Sequence, residues 1–291
     1  MSKSIGFIGL GAIGLPASVN LIAAGYDVYG FRRSGMSDFI AAGGKATASP
    51  RDIAEKCDVI FTCLPDGQSV AEVISGPGGV LSSGTHGLKI IELSSLKIAE
   101  KEQLRDEVRK SGGDMLDCPV SGIPPMITSK TAVIFVSGEE AIYKSVRPCL
   151  DAVTDKANYI GEFGLGSKLK FIANHLVSVN ILATAEALAF GAKAGLSPHL
   201  VSEALSASAA SSLQFQTRAP MMADAKWLPA LGTHEMLHKD LKTITEYADE
   251  INCPTPLLHT AEKYFQRANS EGRQNEDVAS IYELICADNG L

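Results

Sequence analysis

The chain has 291 residues, 45% hydrophobic and 20% charged, with a formal charge of −7. That length suits two modest domains, each with its own core, and the balance excludes a disordered or fibrous chain. The acidic surplus argues against a general nucleic-acid binder, and six scattered cysteines with no C-x-x-C pair argue for reduced thiols over a disulfide frame or a metal centre.

Met1-Ser2-Lys3 leads straight into apolar residues, without the zones of a secretory signal, so a cytoplasmic location is expected. Up to about residue 160, Ser4–Ile8, Asp27–Phe31, Asp58–Leu64, Lys89–Leu93, Asp114–Val120 and Ala132–Ser137 read as strands. Between them Ile13–Ala24, Met36–Ala42, Gln68–Ile74, Ala99–Lys110 and Glu139–Leu150 carry helical spacing. The alternation predicts an α/β fold with a doubly wound, largely parallel sheet of Rossmann type.

After Gly164 the β-branched runs stop. Lys168–Ala194, Pro198–Ala207, Glu235–Ile251, Thr255–Ala268 and Val278–Ala287 read as helices, so an all-α C-terminal domain is expected. Glycines between Gly161 and Gly166 place the boundary, giving domains 1–163 and 164–291. Phe171 to Ala192 approaches membrane-spanning length, but Asn174, His175, Asn180 and Glu186 would each be costly in lipid, and no membrane partner is expected.

The first strand runs into Gly9-Leu10-Gly11-Ala12-Ile13-Gly14, a G-x-G-x-x-G turn that opens a helix. Gly9 permits the tight turn, Gly11 lets the backbone approach a pyrophosphate, and Gly14 lets helix and strand pack closely. Free N–H groups of Ala12 and Ile13 at the helix start suit the phosphates. A merely structural glycine turn is the alternative.

An NAD-selective site would usually carry Asp or Glu at the end of the second strand. This chain has Phe31-Arg32-Arg33-Ser34 there. Two guanidinium groups and a hydroxyl suit a 2′-phosphate, which a carboxylate would repel, so NADP is the expected cofactor. Surface arginines serving solubility are the bland reading.

On the long apolar helix, Lys170 and Asn174 lie about 40° apart at 100° per residue, on a face away from Lys168, His175, Glu186 and Lys193. Lys170 either snorkels to water or sits in a cleft, where desolvation favours its neutral, basic form. Taking hydride from an alcohol requires a base for the hydroxyl proton, and such a lysine can serve. His175 lies well around the wheel from Lys170, and reads as structural.

With these motifs the chain resembles the β-hydroxyacid dehydrogenase family, which includes 3-hydroxyisobutyrate dehydrogenases and glyoxylate/succinic semialdehyde reductases and is related to 6-phosphogluconate dehydrogenase. The resemblance runs nearly the full length, on Gly6 to Pro16, Asp117-Cys118-Pro119-Val120-Ser121-Gly122, Gly166 to Asn174 and Lys239-Asp240-Leu241. It implies that Lys170 is the general acid/base and that Asn174 orients substrate. Ser121 and the backbone N–H of Gly122 match positions that hold a substrate carboxylate, and the second backbone donor there is expected to be the N–H of Ile123. The resemblance also implies that Ser94 and Ser95 lie beside the nicotinamide, with an ordinary hydroxyl-rich turn as the alternative, and that Lys239 approaches the same end of the cofactor, with a surface charge pair as the alternative. Leu64 and Pro65, ending a strand at the ligand-binding edge of the sheet, are expected to touch the cofactor by backbone and packing.

Two departures bear on substrate choice. Ile123-Pro124-Pro125-Met126 stands where the family commonly continues with glycine, which stiffens the loop, and Gly232-Thr233 stands where a phenylalanine often precedes Lys-Asp. The leading expectation is an NADP-dependent oxidoreductase for a small 3-hydroxy acid or the matching semialdehyde or keto acid. A catalytically silent NADP-binding sensor or scaffold and an imine reductase on the same fold are the alternatives; the first would have lost the lysine and the second normally replaces it with a carboxylate or tyrosine. Apolar helices suggest a homodimer or homotetramer.

Overall fold

The structure is a computed structural model and describes residues 3–291; the reading of Met1 and Ser2 lies outside them. The chain forms two compact units, Met1–Lys170 and Phe171–Leu291.

In the first unit the order is β1 (Ser4–Ile8), α1 (Gly14–Ala23), β2 (Asp27–Phe31), α2 (Ser37–Ala41), β3 (Lys45–Ala46), α3 (Pro50–Ala54), β4 (Val59–Thr62) and α4 (Gly67–Ser75). It continues through β5 (Lys89–Glu92), α5 (Ile98–Lys110), β6 (Asp114–Asp117), β7 (Val120–Ser121), α6 (Pro124–Thr128), β8 (Val133–Ser137), α7 (Glu140–Val153) and β9 (Lys156–Gly161). The sheet order is β3-β2-β1-β4-β5-β6-β8-β7, with β9 beside β8. Strands β1 to β6 pair in parallel, whereas β8 runs antiparallel to β6 and β7.

Successive residues of a strand point to opposite faces. In the central strands both faces are buried: Phe61, Ile91 and Leu116 join one core with Leu21 and Leu150, while Ile60, Ile90 and Met115 join the other with Ile74 and Val108. This two-sided burial accounts for the unbroken apolar runs of a covered parallel sheet. The expected strand Asp114–Val120 is two strands: β6 pairs with β5, and beyond Pro119 β7 turns to β8. Proline has no N–H to continue a ladder. The polar strand β9 and the short helices α3 and α6 were not expected from the sequence.

Helix α8 (Leu165–Lys193) begins in the first unit and continues into the second, followed by α9 (Pro198–Ser206), α10 (Leu213–Ala223), α11 (His234–Glu250), α12 (Pro256–Ser270) and α13 (Ile281–Asp288). α8 is long and apolar enough to cross a membrane by length and composition. It also carries a buried stripe through Ser167, Lys170, Asn174, Ser178, Ile181 and Ala185, as a core helix does. The expected helix Val278–Ala287 opens instead as a 3-10 turn, Val278–Ser280, because the Asp277 side chain caps Ala279 N–H at 2.9 Å. α11 starts at His234, capped by Thr233, one residue before the expected Glu235, so Lys239-Asp240 lies in its second turn; Ile251, the expected last residue of the helix, is exposed.

Candidate active site

The glycine turn joins β1 to α1. Gly9 has φ of +94°, and a Cβ there would stand 2.1 Å from the Cys63 carbonyl oxygen; a Cβ on Gly14 would stand 1.9 Å from that of Gly9. Both are excluded by backbone, so these glycines are demanded by the fold itself. Gly11 differs: a Cβ there meets nothing within 4 Å. Its lack of a side chain keeps space open over the turn, where a dinucleotide's pyrophosphate would lie. The N-cap of α1, Ile13, provides no side-chain cap; Leu15 N–H is taken by the Gly11 carbonyl at 2.9 Å and Pro16 has no N–H, so an anion over the turn would meet the N–H groups of Ala12, Ile13 and Gly14.

A cavity of about 760 Å³ opens over this turn, and Gly9, Gly11, Arg32, Arg33, Ser34, Leu64 and Pro65 line it. Seven sequence-predicted cofactor residues thus share one surface. Ala12, Ile13 and Gly14 sit at the helix start without lining the cavity, nor do Ser95, Lys239 or the Ser121 loop. A nicotinamide dinucleotide fits a cavity with an open glycine cradle at one helix start and two arginines at its rim.

The arginines divide. Arg32 donates from Nη1 to the Leu10 carbonyl at 2.7 Å and from Nε to the Gly35 carbonyl. It therefore braces the glycine turn against the loop after β2. Arg33 and Ser34 are exposed on the cavity lining. Cavity residues that the sequence reading missed include Ser49 and Pro50, at the start of α3. Ser49 and Asp52 form a capping box there, and the Ser-Pro-x-Asp pattern was its available signal.

At the ends of β4 and β5, the Ser94 hydroxyl accepts the Leu64 N–H at 2.8 Å, fixing the cavity wall; Ser94 is buried and Ser95 half-buried. Below them Glu92 accepts Ser94 N–H at 2.6 Å and contacts the Thr62 hydroxyl. Burial pushes the Glu92 carboxyl up, against the opposing pull of the Lys101 ammonium and the Ser94 and Thr62 bonds.

The Ser121-Gly122-Ile123 loop is half-buried between β7 and α6. A Cβ on Gly122 would come 2.7 Å from Ala132 Cβ, so the close pass of the loop over the residue that precedes β8 requires glycine. Asn20, buried on α1, donates to the Ile127 carbonyl at 2.7 Å and to that of Val153 at 3.1 Å, which anchors α6 and with it the loop.

Lys170 is only 9% exposed, whereas Lys168 two residues earlier is exposed, so Lys170 does not snorkel. In the second unit the Asn174 amide donates to Asp240 at 2.8 Å, and Lys239 lies 3.6 Å from the same carboxylate. Asp240 as the partner of Asn174 was legible only as part of a motif.

A doubly wound sheet with an open glycine cradle, an arginine-rimmed cavity and a buried lysine on the helix that follows defines a nicotinamide-dependent oxidoreductase. Residues 4–161 match the family described as the NAD binding domain of 6-phosphogluconate dehydrogenase, and residues 164–285 match that described as the NAD-binding domain of NADP-dependent 3-hydroxyisobutyrate dehydrogenase. The chain is 31% identical to 2-(hydroxymethyl)glutarate dehydrogenase of Eubacterium barkeri, over 98% of this chain and 96% of that protein. It is also 31% identical to L-threonate dehydrogenase of Cupriavidus necator, over 98% and 97% of the two chains. The crystal structure of 3-hydroxyisobutyrate dehydrogenase from Salmonella typhimurium superposes with a TM-score of 0.88 at 27% identity, covering 97% of this chain and 99% of that one. The chain belongs to the β-hydroxyacid dehydrogenase family.

Proposed function

We propose that this member of the family interconverts a short 3-hydroxy acid and the matching semialdehyde or keto acid, using NADP(H). The buried Lys170 carries the reading: an amine withdrawn from water on an apolar helix, in a chain built to bind nicotinamide, meets the need for a group that moves a hydroxyl proton. Bound in the cavity, the cofactor would supply or accept the hydride. Lys170 takes the hydroxyl proton in oxidation and returns it in reduction. Ser121 and the backbone N–H groups of Gly122 and Ile123 hold the carboxylate, and Asn174 orients the substrate. Ser95 and Lys239 serve the nicotinamide end.

NADP is favoured because Arg33 and Ser34 line the rim of the cavity and no carboxylate stands at the end of β2. The substrate reading rests on the family, whose named members here act on different acids. We read the protein as a cytoplasmic homodimer or homotetramer with no nucleic-acid or membrane partner; the exposed Ile172, Leu176 and Phe190 on α8 support self-association. Initial rates with 3-hydroxyisobutyrate, glyoxylate, succinic semialdehyde and a cyclic imine, each with both cofactors, test the reading. Turnover of a hydroxy acid or semialdehyde with NADP(H), at least about tenfold above NAD(H), is expected. Turnover of the imine alone, or of nothing, contradicts it.

A further inference from the structure

The carboxylate of Asp117 is fully buried at the end of β6, and it accepts four hydrogen bonds. Oδ1 takes Lys101 Nζ and Ser167 Oγ, each at 2.8 Å. Oδ2 takes Ser167 N–H at 2.8 Å and Ser137 Oγ at 3.1 Å. Ser137 Oγ in turn accepts Gly166 N–H at 2.9 Å. Both Gly166 and Ser167 belong to the first turn of α8. A Cβ on Gly166 would lie 2.5 Å from the Phe135 carbonyl oxygen, so that turn rests directly on the sheet edge.

We infer that Asp117 is the positioning residue for Lys170: by gripping the first turn of α8 at Ser167, it fixes the rotation of the helix that carries the amine three residues on. The inference rests on the reading of Lys170 as the proton carrier. All four groups that face Asp117 are donors, and only an ionised carboxylate accepts from all of them. An asparagine would turn an NH2 toward at least one, and would leave Lys101 buried without its counter-charge. Lys101 is itself fully buried, and its ammonium balances Asp117 while Glu92, the neighbour of Asp117 in the sheet register, stands beside them.

A buried ion pair is weak evidence for stability, since apolar replacements of such pairs often leave it unchanged or raise it. Fixing one geometry is the better account of this one. The demand for that geometry is steep, because a misplacement of about 1 Å at the reacting atoms can cost on the order of a hundredfold in rate.

The test uses the full chain saturated with NADP(H) and the fastest substrate of the screen above. Ser167→Ala and Asp117→Asn are assayed well below their Tm values, with kcat expressed per folded molecule. Cofactor affinity is read by fluorescence, and the primary deuterium isotope effect with cofactor deuterated at C4. Both variants are expected to lose about tenfold or more in kcat, to hold cofactor Kd within about twofold, and to show a larger isotope effect as hydride transfer limits the rate. If Asp117→Asn does not fold, Ser167→Ala decides, since it keeps the ion pair. Folded Ser167→Ala with unchanged kcat and isotope effect overturns the positioning role. Lys170→Ala separates the two claims: full turnover in that variant removes the proton carrier and this inference together, whereas lost turnover beside an unaffected Ser167→Ala removes this inference alone.

Discussion

Asn174 donates its side-chain amide to the Asp240 carboxylate at 2.8 Å, across two helices of the second unit, which sets the amide's orientation and turns its oxygen away from Asp240. Under the proposed function Asn174 presents that fixed amide to substrate. Asp240→Ala is expected to raise substrate KM about tenfold, because the amide is then free to rotate, while Asp240→Asn keeps an acceptor and stays within about threefold. Steady-state kinetics at saturating cofactor checks this; equal KM in both variants and the wild type contradicts it.

The glycines of the first turn separate folding from binding. Gly9→Ala places a Cβ 2.1 Å from a backbone oxygen and is expected to impair folding. Gly11→Ala meets nothing within 4 Å and should leave Tm within about 2 °C while weakening cofactor binding by at least about tenfold. Thermal melting with and without NADPH shows whether the two effects part in this way. Undiminished binding by Gly11→Ala would place the pyrophosphate elsewhere.

Arg32 and Arg33 should fail differently. Arg33→Ala removes an exposed guanidinium from the cavity rim and is expected to weaken NADP binding about tenfold or more with little change for NAD. Arg32→Ala cuts the brace to the Leu10 carbonyl, so it should weaken both cofactors alike. Titration of each variant with each cofactor distinguishes them. Selective loss of NADP in Arg32→Ala, with none in Arg33→Ala, would reverse the assignment.

Stability should fall in mild acid through His234. This ring is fully buried, its Nε2 lies 2.9 Å from the Ser280 hydroxyl, and burial pushes its pKa from 6.5 down to about 4 against the pull of Glu276 and Asp277. The unfolded chain binds a proton below pH 6.5 and the folded one only below about 4, so the unfolded state holds more protons in that window. Stability is full above the window and is lost as the pH drops through it, by on the order of 3 kcal/mol in total. Urea unfolding across the window should show a steeper slope in the wild type than in His234→Gln. Identical slopes would remove His234 as a cause.

Much of this was legible because burial writes a pattern. Val59-Ile60-Phe61 and Lys89-Ile90-Ile91 read as strands since both faces of the central sheet are covered, and the glycine turn reads from steric demands that no other residue meets. β9 escaped notice because Lys156-Ala157-Asn158-Tyr159 has exposed and polar positions and gains its place by pairing with β8. α10 escaped because Gln214, Gln216, Thr217 and Pro220 dilute its helical pattern.

Lys101 is the instructive omission. Between Glu100 and Glu102 it looks like one charge on a solvated helix face, yet it is as buried as any core residue. Only the tertiary approach of Asp117, sixteen residues away, distinguishes it from its neighbours. Lys170 stood out because its surroundings in sequence are apolar; Lys101 did not because its surroundings are charged.

Lys170→Ala, assayed for turnover and for NADPH binding in the same preparation, bears most directly on the proposed chemistry. Removing the amine should lower kcat by at least about a thousandfold while leaving the cofactor Kd within about twofold, since the glycine cradle and Arg33 are untouched. Turnover at the wild-type rate would show that another group moves the proton.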